Sequence, residues 1–255
     1  MKPDYIGAEL FILEKLDNQL PKDLFYHGLH HTRDVYGASL LIAKSEKISE
    51  DEINLLKIAT MFHDAGFISH YKNHEEAGCK LADRILPKFG FDKKRIAVIK
   101  GMIMATKIPQ NPKNQLERII CDADLDYLGR DDFKDIAKTL FDELKVYMNV
   151  KDEKVWNNIQ LNFLKNHKYH TEYCRTRREA KKQKHLKDII KLVEGYNKDN
   201  EKRADVAHAK QKKQARKDAI QELKREDKAK AVKKAAVKKA AAKKAVKKKA
   251  APKKK

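Results

Sequence analysis

The chain has 255 residues and a formal net charge of +21, length enough for one good core or two small domains. Fourteen lysines and no acids lie between Lys228 and Lys255, so the rest of the chain carries only +7. Cys79, Cys121 and Cys174 lie far apart with no CxxC spacing, which excludes a disulfide frame and a zinc knuckle and suits a reducing compartment. No apolar run approaches the roughly 18 residues of a membrane span. The opening MKPDYIGAEL lacks the basic-then-apolar layout of a signal peptide. A soluble, cytoplasmic protein is the expectation.

Residues 4–20 read as a helix, with Ile6, Leu10, Leu13, Leu16 and Leu20 near helical spacing and Pro21 to end it. A second helix is predicted from Leu24 to Lys44, with His27, His31, Asp34 and Ala38 on one side. A third starts at Ser49, which has the capping-box spacing to Glu52, and runs through Ile53, Leu56, Ile58, Ala59, Met61 and Phe62. It ends at His63-Asp64-Ala65-Gly66. An aspartate in the last turn of a helix faces the negative end of the dipole, and a buried carboxylate needs a partner. A bound cation answers both needs, with His63 as a second ligand; a hydrogen-bonded His-Asp pair with a structural role is the other reading. Gly66 suits a left-handed cap.

A loop over 67–73 leads to a helix from His74 to Leu86, closed by Pro87. Asp92 caps the next, with Ile96, Val98, Ile99, Met102 and Ile103 apolar; Pro109 and Pro112 interrupt the chain after it. A helix from Leu116 to Leu128 follows. Asp124 there has Ile120 and Leu128 four residues away and Cys121 and Tyr127 three away, so it points into the core. Such a carboxylate is either paired or kept neutral. Asp122, flanked by Arg118 and Asp126, is expected on the polar side.

Asp131 is expected to cap a helix through Tyr147. Another covers Glu153 to Asn166 with Val155, Trp156, Ile159 and Phe163 inward, and a longer basic one spans Thr171 to Gly195. No segment alternates with period two, so the expected fold class is all-α. Three regions are expected: a folded domain over 1–196, a charged helical extension over 197–228 and a low-complexity Lys/Ala tail over 229–255. That tail cannot bury a core of its own and is expected to be disordered, turning helical against a polyanion.

His31, His63, Asp64 and Asp124 thus come from three helices as metal-type donors. A mixed N/O set of this kind suits Mn²⁺, Fe²⁺, Co²⁺, Ni²⁺, Zn²⁺ or Mg²⁺. The order His … His-Asp … Asp resembles the HD-domain metal-dependent phosphohydrolases. His31-Thr-Arg-Asp-Val35, Phe62-His63-Asp64-Ala65-Gly66-Phe67, His74-Glu75 before Gly78, and Cys121-Asp-Ala-Asp124-Leu-Asp-Tyr-Leu128 are each similar to that family's motifs. The resemblance covers about residues 20–150 and is expected to extend to 196. It implies an all-α bundle, one divalent metal and hydrolysis of a phosphoester or pyrophosphate, often in a nucleotide. Thr106-Lys107 stands where two-metal relatives carry a histidine pair, which favours a single ion.

Beyond the ligands, His27 can touch substrate or back up a ligand. His74 and Glu75 can act on the leaving group, or simply open a helix with an acidic first turn. Lys107 can meet a phosphate or sit in a solvated loop; Arg130 can reach a phosphate or cap a helix. The competing expectation is a catalytically weak binding module whose lysine tail holds nucleic acid without sequence preference.

Overall fold

The structure, a computed structural model, describes residues 2–249, with backbone alone at 199–201, 219, 223–224, 226–227, 229 and 243–249. The described residues are helical and contain no strand, so the fold is all-α. They divide into two units, Met1–Glu194 and Gly195–Lys255.

In the first unit, α3 (Glu50–Phe62) is the central helix. Its Ser49–Glu52 capping box forms as the sequence predicts. Leu56, Ile58, Ala59, Thr60, Met61 and Phe62 are buried, because other helices flank it. α1 (Tyr5–Gln19), α2 (Leu29–Glu46), α5 (Lys93–Ala105) and α6 (Gln115–Asp124) all pack against it. α4 (His74–Ile85) lies against α5 and against the 3₁₀ turn Ala65–Ile68. α7 (Phe133–Tyr147) and α8 (Glu153–Asn166) build a second core with Phe133, Phe141, Trp156 and Leu164. α9 (Glu172–Arg177) is short, and α10 (Glu179–Lys249) begins in this unit.

Several boundaries differ from the sequence expectation. α2 starts at Leu29, not Leu24, so His27 precedes the helix. The amides of Tyr26 and His27 donate to the Glu143 carboxylate, which holds that segment out of helical geometry. Gly66 is not a left-handed cap; Gly90 is the one glycine with positive φ among the described residues. Gly66 serves close approach instead: a Cβ there would lie 1.8 Å from the His74 carbonyl oxygen.

α6 stops at Asp124, and a separate 3₁₀ turn covers Asp126–Gly129. Asp126 therefore does not extend a polar helix face. It is buried and takes the Arg178 guanidinium, Nε to Oδ1 at 2.6 Å. That contact falls at the break between α9 and α10, where Gly129 lets the Arg178 backbone pass close by. The expected single helix from Thr171 is thereby two. Asp131 does not cap α7; it pairs with Lys181, and α7 begins after Asp132. In α8, Val155 is exposed, not inward, while Ile159 and Phe163 line a cavity.

In the second unit every described side chain from Asn197 onward is exposed. Its backbone is helical as far as Lys249, which suits its alanine and lysine content. Residues 250–255 of the Lys/Ala tail lie outside the described residues. Among the described residues no helix is long and apolar enough to cross a membrane.

Candidate metal centre and cavity

Three elements bring the donors together. α2 supplies His31 from its first turn, the end of α3 supplies His63 and Asp64, and the last residue of α6 supplies Asp124. One donor atom each from His31, His63 and Asp124 lies within 4.8 Å of the others. His31 Nε2 is 3.0 Å from Asp124 Oδ1, and His63 Nε2 is 3.6 Å from the same oxygen. Asp64 is not in that set of three, yet its Oδ2 is 3.2 Å from His63 Nε2 and 3.6 Å from His31 Nε2.

The protonation of His63 is set from behind. Its Nδ1 lies 2.7 Å from the Thr60 carbonyl oxygen, which accepts a proton and donates none. In the neutral ring the Nε2 lone pair therefore points at the carboxylates. That Nε2 and Asp64 Oδ2 are both buried without a hydrogen-bond partner. A buried polar atom left unpaired costs about 1–3 kcal/mol, so two in one cluster call for a common partner.

The electrostatics agree. Burial pulls the His63 imidazole toward the neutral form, but Asp64 and Asp124 overcome this and raise its pKa well above the ordinary value. Burial opposes ionisation of Asp64, yet His63 holds it below the usual carboxylate range. Asp124 is likewise lowered, to about 2, by the His31 hydrogen bond and the neighbouring His63 imidazole working against burial. The cluster stabilises positive charge at its centre. A divalent cation matches that demand and the N/O donor set.

The other sequence candidates divide. His74 Nε2 stands 3.5 Å from Asp64 Oδ1 and 3.4 Å from Glu75 Oε1, and Glu75 is buried. His27, His74 and Glu75 line the same cavity as Asp64 and Asp124. The rings of His27 and His74 both stack against Phe67, at 4.4 and 3.9 Å, and their own centroids are 6.0 Å apart. Lys107 and Arg130 do not line it. Lys107 Nζ is held by Glu76 and by Asn73, and Arg130 is held by Asp34 and Asp132. Both cations are already paired with carboxylates.

Asp122 is a correction of a different kind. It is fully buried, and it accepts from the amides of His170 and Thr171 and from the Thr171 hydroxyl. It anchors the segment before α9 and faces no solvent. Glu143 was missed in the sequence. It is fully buried on α7, bonded to His27 Nδ1, to the Tyr26 and His27 amides and to the Tyr71 hydroxyl. Leu140 and Tyr147, three and four residues away, were the available signal, by the argument that served for Asp124.

The cavity has a volume of about 500 Å³ and runs from this cluster to a wall built by α7 and α8. That volume suits a small organic ligand.

A family model described as the HD domain matches residues 28–126, which include His31, His63, Asp64, His74, Glu75 and Asp124. No curated protein matches the chain. The chain is similar to a solved structure from an uncultured Thermotogales bacterium, described as a predicted HD superfamily hydrolase. The two share 20% identity over 76% of this chain and 92% of that one, with a TM-score of 0.46. Residues 28–126, which carry every donor of the cluster, thus match the HD domain.

Proposed function

We propose that the chain is a phosphohydrolase that uses one divalent ion held by His31, His63, Asp64 and Asp124. The observation that carries this reading is the unpartnered pair His63 Nε2 and Asp64 Oδ2, buried beside His31 and Asp124. When bound, a divalent ion supplies Lewis acidity, which eases deprotonation of water and polarises a phosphoryl oxygen. The substrate is a phosphoester, and a nucleotide is the compound class to try first, as the HD domain suggests.

The side chains around the cluster suit that reaction. Asp64 presents Oδ2 to the imidazoles and Oδ1 toward His74, so it can orient an attacking water and accept its proton. His74 lies between Asp64 and Glu75, where it can hand a proton to the departing oxygen. Glu143 fixes His27, and Phe67 packs against the rings of both His27 and His74. In the net reaction the water oxygen bonds to phosphorus, the phosphorus–oxygen ester bond breaks, and the alcohol leaves with a proton.

Phosphate release over a nucleotide panel with Mn²⁺ tests the proposal. Turnover by the intact protein that falls to background in Asp124→Ala supports it. Release that survives Asp124→Ala unchanged sinks it.

The exposed basic residues after 197 are a separate surface, which we propose binds nucleic acid through phosphate charge alone.

A further inference from the structure

The cavity has two chemically different ends. Asp64, Asp124, His74 and Glu75 stand at one; the remaining wall is largely apolar, with Phe133, Leu140, Leu144, Trp156, Ile159 and Phe163 from α7 and α8. No lysine or arginine is among the described residues that line it. Lys107 and Arg130, the two cations that the sequence offers for a phosphate, are paired, Lys107 with Glu76 and Arg130 with Asp34 and Asp132.

This sets a charge limit. A divalent ion in the cluster is largely offset by Asp64 and Asp124. One phosphoryl group can approach the ion and the imidazoles. The further phosphates of a polyphosphate would meet carboxylates or an apolar wall with no cation to receive them, which is costly.

A second observation points to the organic end of the ligand. Gln160 on α8 belongs to the cavity wall and is 8% exposed. Its Nε2 donates to Asn157 Oδ1 at 3.0 Å, while its Oε1 is buried with no partner. Gln160 also borders a smaller hollow of about 350 Å³ between α7, α8 and α10. Only the larger cavity contains the cluster as well. A donor on a ligand there would satisfy the orphaned oxygen.

Resting on the hydrolytic reading above, we propose that the cavity takes phosphomonoesters of a bulky, flat, apolar alcohol. The single phosphoryl group lies at the cluster, and a hydrogen-bond donor on the organic group meets Gln160 Oε1. Water adds to phosphorus, the ester bond breaks, and the products are inorganic phosphate and the alcohol, which carries the proton.

The test uses the full-length protein with Mn²⁺ and four substrates. These are ethyl phosphate, 2-naphthylmethyl phosphate, its 6-amino derivative and inorganic tripolyphosphate. The three esters leave as primary alcohols, so intrinsic reactivity is matched. Burying the naphthyl group should raise kcat/KM at least about tenfold over ethyl phosphate. The amino group should add about three- to tenfold, and tripolyphosphate should be the poorest. Gln160→Leu should bring the ratio of amino derivative to parent down to near one.

Ethyl phosphate or tripolyphosphate hydrolysed as fast as the naphthyl ester would overturn the proposal while leaving the hydrolytic reading in place. An amino derivative no better than its parent in the intact protein would also overturn it, whether or not Gln160→Leu folds. A preference for the amino derivative that persists in a folded Gln160→Leu would remove Gln160 from the proposal. Phosphate release from none of the four would overturn this proposal, while the nucleotide panel above decides the hydrolytic reading on its own.

Discussion

Asp122 and Asp124 sit two residues apart on α6 and face different partners. Asp124 meets two imidazoles; Asp122 meets the backbone before α9. Replacing Asp122 by Ala leaves two amides and a hydroxyl without their acceptor, a loss of about 1–3 kcal/mol. Thermal unfolding should show it as a fall in Tm. An unchanged Tm would mean that the segment before α9 is not held through this carboxylate. The sequence made Asp124 legible because apolar residues surround it at helical spacing. The same count misplaced Asp122, because it treated Asp126 as part of the helix and could not see that residues 170–171 cover that face. Glu143 was legible by the same count, but its partners Tyr26, His27 and Tyr71 are all distant in sequence and carry no local signal.

The His27–Glu143 pair gives a pH prediction. Burial opposes both charges, yet the pair's own hydrogen bond raises His27 above 6.5 and lowers Glu143 below 4.5. A lowered carboxylate stabilises the fold above its unfolded value and loses that contribution as pH falls. A raised histidine stabilises below its unfolded value and loses it as pH rises through the folded one. Both contributions are complete only between pH 4.5 and 6.5. With chelator present, the Tm difference between the native protein and Glu143→Gln should peak in that window. A difference that grew steadily up to pH 9 would exclude an ion pair.

At the scale of elements, α3 and the turn after it decide where the chemistry lies. The turn works only because Gly66 lets the start of α4 come against it. Gly66→Ala puts a methyl group 1.8 Å from the His74 carbonyl oxygen, so α4 must move. A loss of about 3 kcal/mol or more is expected, with His74 and Glu75 displaced and activity reduced. Native-like Tm and activity in Gly66→Ala would show that the contact is looser than described. Element existence was readable from periodicity, and the caps at Ser49 and Asp92 were readable from side-chain type. The breaks were not. The late start of α2 depends on Glu143, and the break at Arg178 depends on Asp126, both long-range partners.

For the molecule as a whole, the residues proposed for chemistry all lie within Met1–Glu194. The basic residues beyond it have no buried side chain among those described from Asn197 onward. Removing residues 201–255 should therefore leave metal content and hydrolysis of small substrates intact. It should also abolish nucleic-acid affinity, which in the full chain should fall steeply with salt and vary little with sequence. Band shifts at two salt concentrations measure this; equal binding by the truncated chain would put the contact on the folded domain.

The central claim is that His31, His63, Asp64 and Asp124 hold one divalent ion. Titration calorimetry with Mn²⁺ on chelator-stripped protein measures it directly, and the same ion should raise Tm because it binds the native state alone. The account predicts close to one ion per chain for the native protein and none for Asp124→Ala at the same concentrations. A native protein that takes up no ion, or an Asp124→Ala variant that binds it as tightly, would contradict it.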